Sequence, residues 1–99
     1  MTYKVIWSKK AEASFLNTLD HILRNWSERE AFKLIARTEE LITQISKHPH
    51  IFREYKASSI RHGILHKNTT MFYKVMEEAK TIRIMLFWNN TRDPKSLKL

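Results

Sequence analysis

The 99-residue sequence contains no cysteine, one glycine and two prolines. The lack of cysteine excludes a disulfide framework and thiolate metal ligands, and it agrees with a reducing compartment. No apolar stretch approaches the ~18 residues of a membrane span, and Lys9 and Lys10 come too early for the apolar core of a signal peptide. We therefore expect one domain in the cytoplasm, with no metal and no cofactor.

Acidic residues are also scarce, with 10 Asp and Glu against 18 Lys and Arg and a net charge of +8. The excess is uneven: residues 1–52 carry 8 basic and 6 acidic side chains, whereas residues 53–99 carry 10 and 4. A basic surface favours anionic partners, such as nucleic acid or an acidic protein segment. The alternative is that the charge serves solubility alone.

The first half of the chain has the pattern of a strand followed by two helices. Residues 3–7 alternate between polar and apolar side chains, which is typical of a strand. Ser8 can cap a helix over residues 9–25, and Ser27 with Glu30 forms a capping box for a helix that ends near residue 47. The short connection between the helices predicts a helical hairpin, whose apolar stripes must also cover a sheet.

The second half predicts three strands in a row, at residues 60–67, 70–76 and 81–88. The middle strand is apolar on both sides, which is typical of a central strand. Gly63 indicates a bulge or a close backbone approach.

Strict alternation divides the last strand into two faces. One face should meet the helices, and it carries Ile82, Ile84, Leu86 and Trp88. The other face has no obvious covering element, and it carries Arg83, Met85 and Phe87. An exposed apolar surface bordered by basic groups indicates a partner site. The alternative is that the loop at 50–59 or the C-terminal tail folds over it.

Several segments, taken in order, resemble the RelE/ParE superfamily of bacterial toxins from type II toxin–antitoxin systems. They include the opening Tyr-Lys-Val-Ile-Trp-Ser-Lys-Lys-Ala and the closing Trp-Asn-Asn-Thr-Arg-Asp-Pro, and they cover residues 3–11, 45–49, 61, 71–75, 82–84 and 88–94. The resemblance implies an α+β fold of order β-α-α-β-β-β, an antiparallel sheet with a helical hairpin packed on one face.

The implied biology is a growth-arresting toxin that a cognate antitoxin, acidic and partly disordered, holds inactive in a hetero-oligomer. RelE-like members cut mRNA on the ribosome without a metal, and ParE-like members poison DNA gyrase. Thr70 stands where the nuclease branch places an arginine, and no tyrosine or histidine follows Tyr73. These departures favour the ParE-like branch.

Two alternatives remain open: a RelE-like ribosome-dependent endoribonuclease, and a non-toxic interaction or nucleic-acid-binding domain. A nuclease rebuilt from other residues would use Arg61, His62, His66, Lys67 and Arg83. The two histidines are four residues apart on a strand, so they should lie on the same face with about 13 Å between them. That distance is too long for one metal or a tight acid–base pair, so we expect ordinary half-exposed strand histidines.

The candidate residues for binding the target or the antitoxin come from the meander and its end. They are Arg61, Lys67, Tyr73, Arg83, Met85, Phe87, Asn90 and Arg92. Arg61 could anchor a carboxylate or phosphate through its bidentate fork, or it could be a solvated strand arginine. Arg92 could pair locally within a turn that Asp93 and Pro94 form.

Overall fold

The computed structural model describes residues 2–56, 58–66 and 68–99. It confirms the α+β fold and the β-α-α-β-β-β order. The elements are β1 (Lys4–Trp7), α1 (Lys9–Asn25), α2 (Glu28–Lys47), β2 (Ile60–His66), β3 (Thr69–Met76), β4 (Thr81–Asn89) and a short 3-10 turn (Pro94–Ser96). No helix in these ranges combines the length and the apolar character that crossing a membrane requires.

Both helices begin at the serines that the sequence indicates. The Ser8 hydroxyl accepts a hydrogen bond from the Ala11 amide at 2.9 Å, and the Ser27 hydroxyl accepts one from the Glu30 amide at 3.2 Å. Each bond satisfies an amide that has no partner inside its helix. The helices therefore start at fixed points, and their apolar stripes are aimed at the sheet.

The sheet has the strand order β1-β4-β3-β2. The three strands of the meander are antiparallel, but β1 pairs with β4 in parallel, so the complete sheet is mixed rather than antiparallel. The connection from β1 to β4 contains the helical hairpin and the strands β2 and β3, and it provides the long crossover that parallel pairing requires. The central place of β3 is confirmed, since Met71, Phe72 and Tyr73 on its two faces are all buried.

The main core lies between the sheet and the helices. Helix α2 contributes Leu34, Leu41 and Ile45 to this core, all with no exposed surface. At one end of the core, Phe15 packs edge-on against Trp7 with ring centroids 5.3 Å apart, and its ring lies 4.9 Å from that of Phe87. Such aromatic contacts add stability beyond the area that they bury.

A β-bulge in β4 changes the predicted faces of that strand. Phe72 pairs with Leu86, but the next residue, Tyr73, pairs with Ile84, so Met85 is the extra residue. A bulge adds one residue to one strand, and this shift of one residue moves every later side chain to the opposite face of the sheet. The prediction was therefore right for Ile82 and Ile84 and wrong beyond Met85. Past the bulge, Leu86 and Trp88 turn away from the helices, and Phe87 turns toward them.

The face of the sheet opposite the helices, here called the far face, is half covered by the chain itself. Phe72, Leu86 and Trp88 are buried there beneath Tyr55 and Leu97. The expectation of a completely uncovered face is therefore wrong, because the loop after α2 and the C-terminal tail both fold over it. The half of the far face beside β1 remains open.

The close backbone approach expected at Gly63 is confirmed. A Cβ atom at this position would lie 3.2 Å from the ring of Phe52, which packs over the strand. This contact holds the loop after α2 against β2, and the loop forms an isolated antiparallel bridge between Glu54 and Arg61.

Candidate functional site

One row of side chains crosses the open half of the far face. Cα pairing places Ile6 of β1 beside Arg83 of β4, Arg83 beside Lys74 of β3, and Lys74 beside Ile60 of β2. These four residues, here called the basic row, thus take one position from each strand. Arg83 and Lys74 are exposed, Ile60 is half-buried, and Ile6 is 36% exposed.

The two cations of the basic row repel each other. Directly opposite residues of an antiparallel pair have Cα atoms about 4.5–5.5 Å apart, and like charges in such a pair are destabilising. Within the described residues, no carboxylate forms a salt bridge within 4.0 Å of Arg83 or Lys74. The row therefore offers two cations between two isoleucines, which suits an anionic partner with apolar side chains.

Two further predicted residues have contacts on the far face, Met85 beside Arg83 and Arg92 toward the other end of β4. Met85, the bulge residue, is half-buried and packs against the covered apolar cluster. The guanidinium of exposed Arg92 lies 4.7 Å from the ring centre of Trp88, a cation–π contact. The structure thus brings Arg83, Met85 and Arg92 to one face.

Tyr73 and Phe87 do not lie on that face, so their predicted places on a binding surface are wrong. Both are buried in the core beneath the helices, Phe87 because the bulge turns it inward. The Tyr73 hydroxyl donates a hydrogen bond to the Pro49 carbonyl at 3.0 Å. Burial raises the pKa of Tyr73 to about 12, so this phenol stays neutral at physiological pH.

Arg61 and Asn90 have contacts within the chain. The Arg61 guanidinium donates through Nη1 to the Phe52 carbonyl at 2.7 Å, and the residue is half-buried. The Asn90 side-chain amide donates to the Thr70 hydroxyl at 2.7 Å, across the ends of two strands. Lys67, also predicted as a binding residue, lies outside the described residues.

The two strand histidines do not share a face. The register of β2 shifts between Ile64 and His66, so His62 stacks on Phe72 on the far face. His66 instead turns toward α2, where its Nε2 atom lies 3.0 Å from the Glu30 carboxylate. Both are half-buried. In the described part of the chain, no group of three or more His, Cys, Asp or Glu side chains is placed to hold a metal ion.

Comparison with known families decides the identity. The family model described as "ParE toxin of type II toxin-antitoxin system, parDE" matches residues 5–94. The chain belongs to the ParE toxin family. It is thus the toxin component of a type II toxin–antitoxin system, and the resemblance to the RelE/ParE superfamily is confirmed. A search of curated proteins gives no significant match to this ParE-family chain.

Solved structures share the fold of this ParE-family chain at low sequence identity. The chromosomal ParDE system of P. aeruginosa has a TM-score of 0.72 and 18% identity, over 89% of this chain and 96% of that one. The intact E. coli RelBE toxin–antitoxin complex has a TM-score of 0.63 and 12% identity, over 91% and 99%. The archaeal RelE–RelB complex of Pyrococcus horikoshii has a TM-score of 0.56 and 16% identity, over 94% and 100%.

Lys74 and Ile6 belong to the basic row of this ParE-family chain but were not predicted as site residues. Lys74 is the only charged residue inside β3, and that was the available signal. Its significance depends on pairing opposite Arg83, and a single sequence does not give strand register. Ile6 was assigned to a strand, but its neighbour β4 was not known.

Proposed function

We propose that this ParE-family toxin arrests growth by binding DNA gyrase through the basic row. The observation that carries the proposal is the pair Arg83 and Lys74, exposed, mutually repelling and flanked by apolar residues. A protein does not gain stability from such a pair, because like charges directly opposite each other in a sheet are destabilising. An acidic partner surface would turn this repulsion into attraction and speed the encounter.

We also propose that a cognate antitoxin, acidic and partly disordered, neutralises the toxin by covering the same row. A flexible acidic segment can lie across all four strands, placing carboxylates on the cations and apolar side chains beside Ile6 and Ile60. Solved relatives of the fold include ParDE and RelBE complexes, which supports a partner of this kind.

The test is charge reversal followed by induced expression. Lys74→Glu and Arg83→Glu should each restore growth, and purified variants should lose inhibition of gyrase supercoiling by at least about tenfold, as expected when charged contacts are reversed. Arg29→Glu is the matched control, because it makes the same charge change at an exposed position on α2. This control should remain as toxic as the parent.

The order of cellular failure separates the target classes. We expect DNA replication to stop and DNA damage to appear before translation falls. If mRNA is cleaved on ribosomes while DNA replication continues, the result would contradict gyrase as the target and support the RelE-like endoribonuclease. If both reversals leave toxicity and antitoxin binding unchanged, the basic row is not the site.

The antitoxin is tested separately. A neighbouring reading frame that encodes an acidic, helical product should restore growth when co-expressed, and the two proteins should co-purify. Lys74→Glu with Arg83→Glu should weaken the complex, whereas Arg29→Glu should not. Expression without any growth defect, with or without the neighbouring frame, would support the non-toxic interaction domain instead.

A further inference from the structure

A second group of cations lies where the C-terminal tail meets the start of α1. Lys9 and Lys10 begin the helix, and Lys95 and Lys98 belong to the tail that follows β4. All four residues are exposed, and the Lys10 ammonium donates to the Lys98 carbonyl, which joins the two segments. These four lysines, here called the tail patch, are not used by the proposed function.

Contacts within the tail hold its two lysines in place. Leu97 packs on the covered apolar cluster of the far face. The Asp93 carboxylate accepts from the Lys95 amide at 3.0 Å, and the Ser96 amide donates to the Asp93 carbonyl at 2.9 Å. Lys95 and Lys98 thus flank an anchored stretch of chain, and the contact with Lys10 keeps this stretch beside α1.

The charges of the tail patch do not stabilise the fold. The first turn of a helix favours acidic side chains, so lysines at the start of α1 are unfavourable there. Across the described ranges, no carboxylate forms a salt bridge within 4.0 Å of any of the four ammonium groups. Glu12 and Asp93 are the nearest acidic residues in sequence, so positive charge remains in excess. The patch therefore favours a partner that carries negative charge.

The residue types favour a phosphate backbone over a protein segment. Lysine is depleted at protein–protein interfaces, where aromatic residues and arginine are enriched, and the tail patch supplies lysine alone. A lysine binds a phosphate as a point charge. Proteins that bind single strands also use aromatic side chains that stack on the bases, and the patch has none. The chemistry therefore fits the backbone of a duplex, contacted without regard to base sequence.

We propose that the tail patch binds the phosphate backbone of a nucleic-acid duplex. The duplex is DNA or RNA, since both present the same charged groups. Each lysine that neutralises a phosphate releases a condensed counterion, so the affinity falls as the salt concentration rises. This contact goes beyond the proposed function, because it uses a different surface from the basic row and does not require gyrase.

The test is fluorescence anisotropy of the full chain with labelled DNA and RNA duplexes of random sequence, at increasing salt. Lys95→Gln with Lys98→Gln should lower the affinity roughly tenfold per lysine at about 0.1 M salt. The slope of log affinity against log salt should become shallower by about one per lysine. Lys9→Gln should act in the same way, because the patch combines both segments. Binding of one duplex type alone assigns the patch to DNA or to RNA, and equal binding assigns it to the shared backbone.

A protein with a net charge of +8 attracts nucleic acid in general, so a matched control decides. Arg29→Gln with Lys33→Gln removes two charges from exposed positions on α2 and should leave the salt slope unchanged. Thermal melting of every variant identifies any loss of folding.

Three results would overturn the proposal. They are an absence of duplex binding, tighter binding to single strands or to phosphatidylserine vesicles than to duplexes, and an equal loss of affinity in the α2 control and the tail variant. None of these measurements involves gyrase or growth, so the duplex proposal and the gyrase proposal fail separately.

Discussion

At the scale of single residues, the buried hydroxyl of Tyr73 illustrates how a polar group is kept inside the core. Its hydrogen bond to the Pro49 carbonyl spans 24 positions of sequence and connects the end of α2 to the centre of the sheet. A buried carbonyl without a donor costs more than the bond itself contributes. Tyr73 is thus a structural residue that joins the two layers, rather than a binding residue.

Tyr73→Phe should lower the free energy of unfolding by about 1–2 kcal/mol, because the Pro49 carbonyl would lose its donor while the ring volume stays the same. The measurement is urea unfolding followed by fluorescence. Tyr55→Phe is the matched control on the far face, and a loss below about 0.5 kcal/mol is expected there. Equal losses in the two variants would contradict the role of the buried bond.

At the scale of elements, the bulge in β4 decides which side chains of that strand reach the far face. It is stabilised from α1: the Ser8 hydroxyl donates to the Met85 carbonyl at 3.1 Å, and the Ser14 hydroxyl accepts from the Phe87 amide at 3.0 Å. Ser8 therefore has two functions, since it also caps α1. The bulge and the start of the first helix are held by one side chain.

Two serine caps allow this double function to be measured. Ser27→Ala removes a cap alone and should cost about 1 kcal/mol. Ser8→Ala removes a cap and the bond to the bulge, and it should cost about 2 kcal/mol. Urea unfolding of both variants provides the comparison. The same loss at both positions would show that the bond from Ser8 to Met85 contributes nothing.

The bulge also marks the limit of what this sequence predicts about its elements. The caps, the helices and the order of strands follow from local patterns, because Ser8, Ser27 and the apolar spacing act within a few residues. The bulge at Met85 depends on hydrogen bonds from α1, which are distant in sequence. Strict alternation therefore placed Phe87 on the wrong face, and the shift before His66 separated the two histidines in the same way.

At the scale of the whole molecule, three distant segments meet at Glu77 in the turn between β3 and β4. The Tyr3 hydroxyl donates to its carboxylate at 2.8 Å, and His50 from the loop after α2 pairs with the other oxygen. The hydrogen bond from Tyr3, followed by that from His50, lowers the pKa of Glu77. The exposed cluster thus connects β1, the loop and the meander.

A lowered pKa in the folded state makes the stabilisation by Glu77 depend on pH. Stabilisation is present above the usual glutamate pKa and is lost as the pH falls through the folded value. Glu77→Gln should therefore lower the melting temperature at neutral pH, and the difference from the parent should shrink in acid. Glu78→Gln, at the neighbouring exposed carboxylate, is the control. A constant difference from neutral to acidic pH would contradict this assignment.

Whole-molecule packing also explains why the candidate site was only partly predicted. Arg83, Met85 and Arg92 were found because alternation and the basic bias are local features of the sequence. The covering of Phe72, Leu86 and Trp88 by Tyr55 and Leu97 depends on where a loop and a tail fold back. Lys74 was not predicted as a site residue because its role depends on Arg83, which lies opposite it on β4.

The basic row is assembled from all four strands, and this has a consequence for when the toxin becomes active during synthesis. Ile6 leaves the ribosome early, whereas its neighbour Arg83 emerges after more than three-quarters of the 99 residues have been made. An incomplete nascent chain cannot display the four side chains together. Under the proposed function, growth arrest and recognition by an inhibitor that spans the row both require that synthesis has passed Arg83.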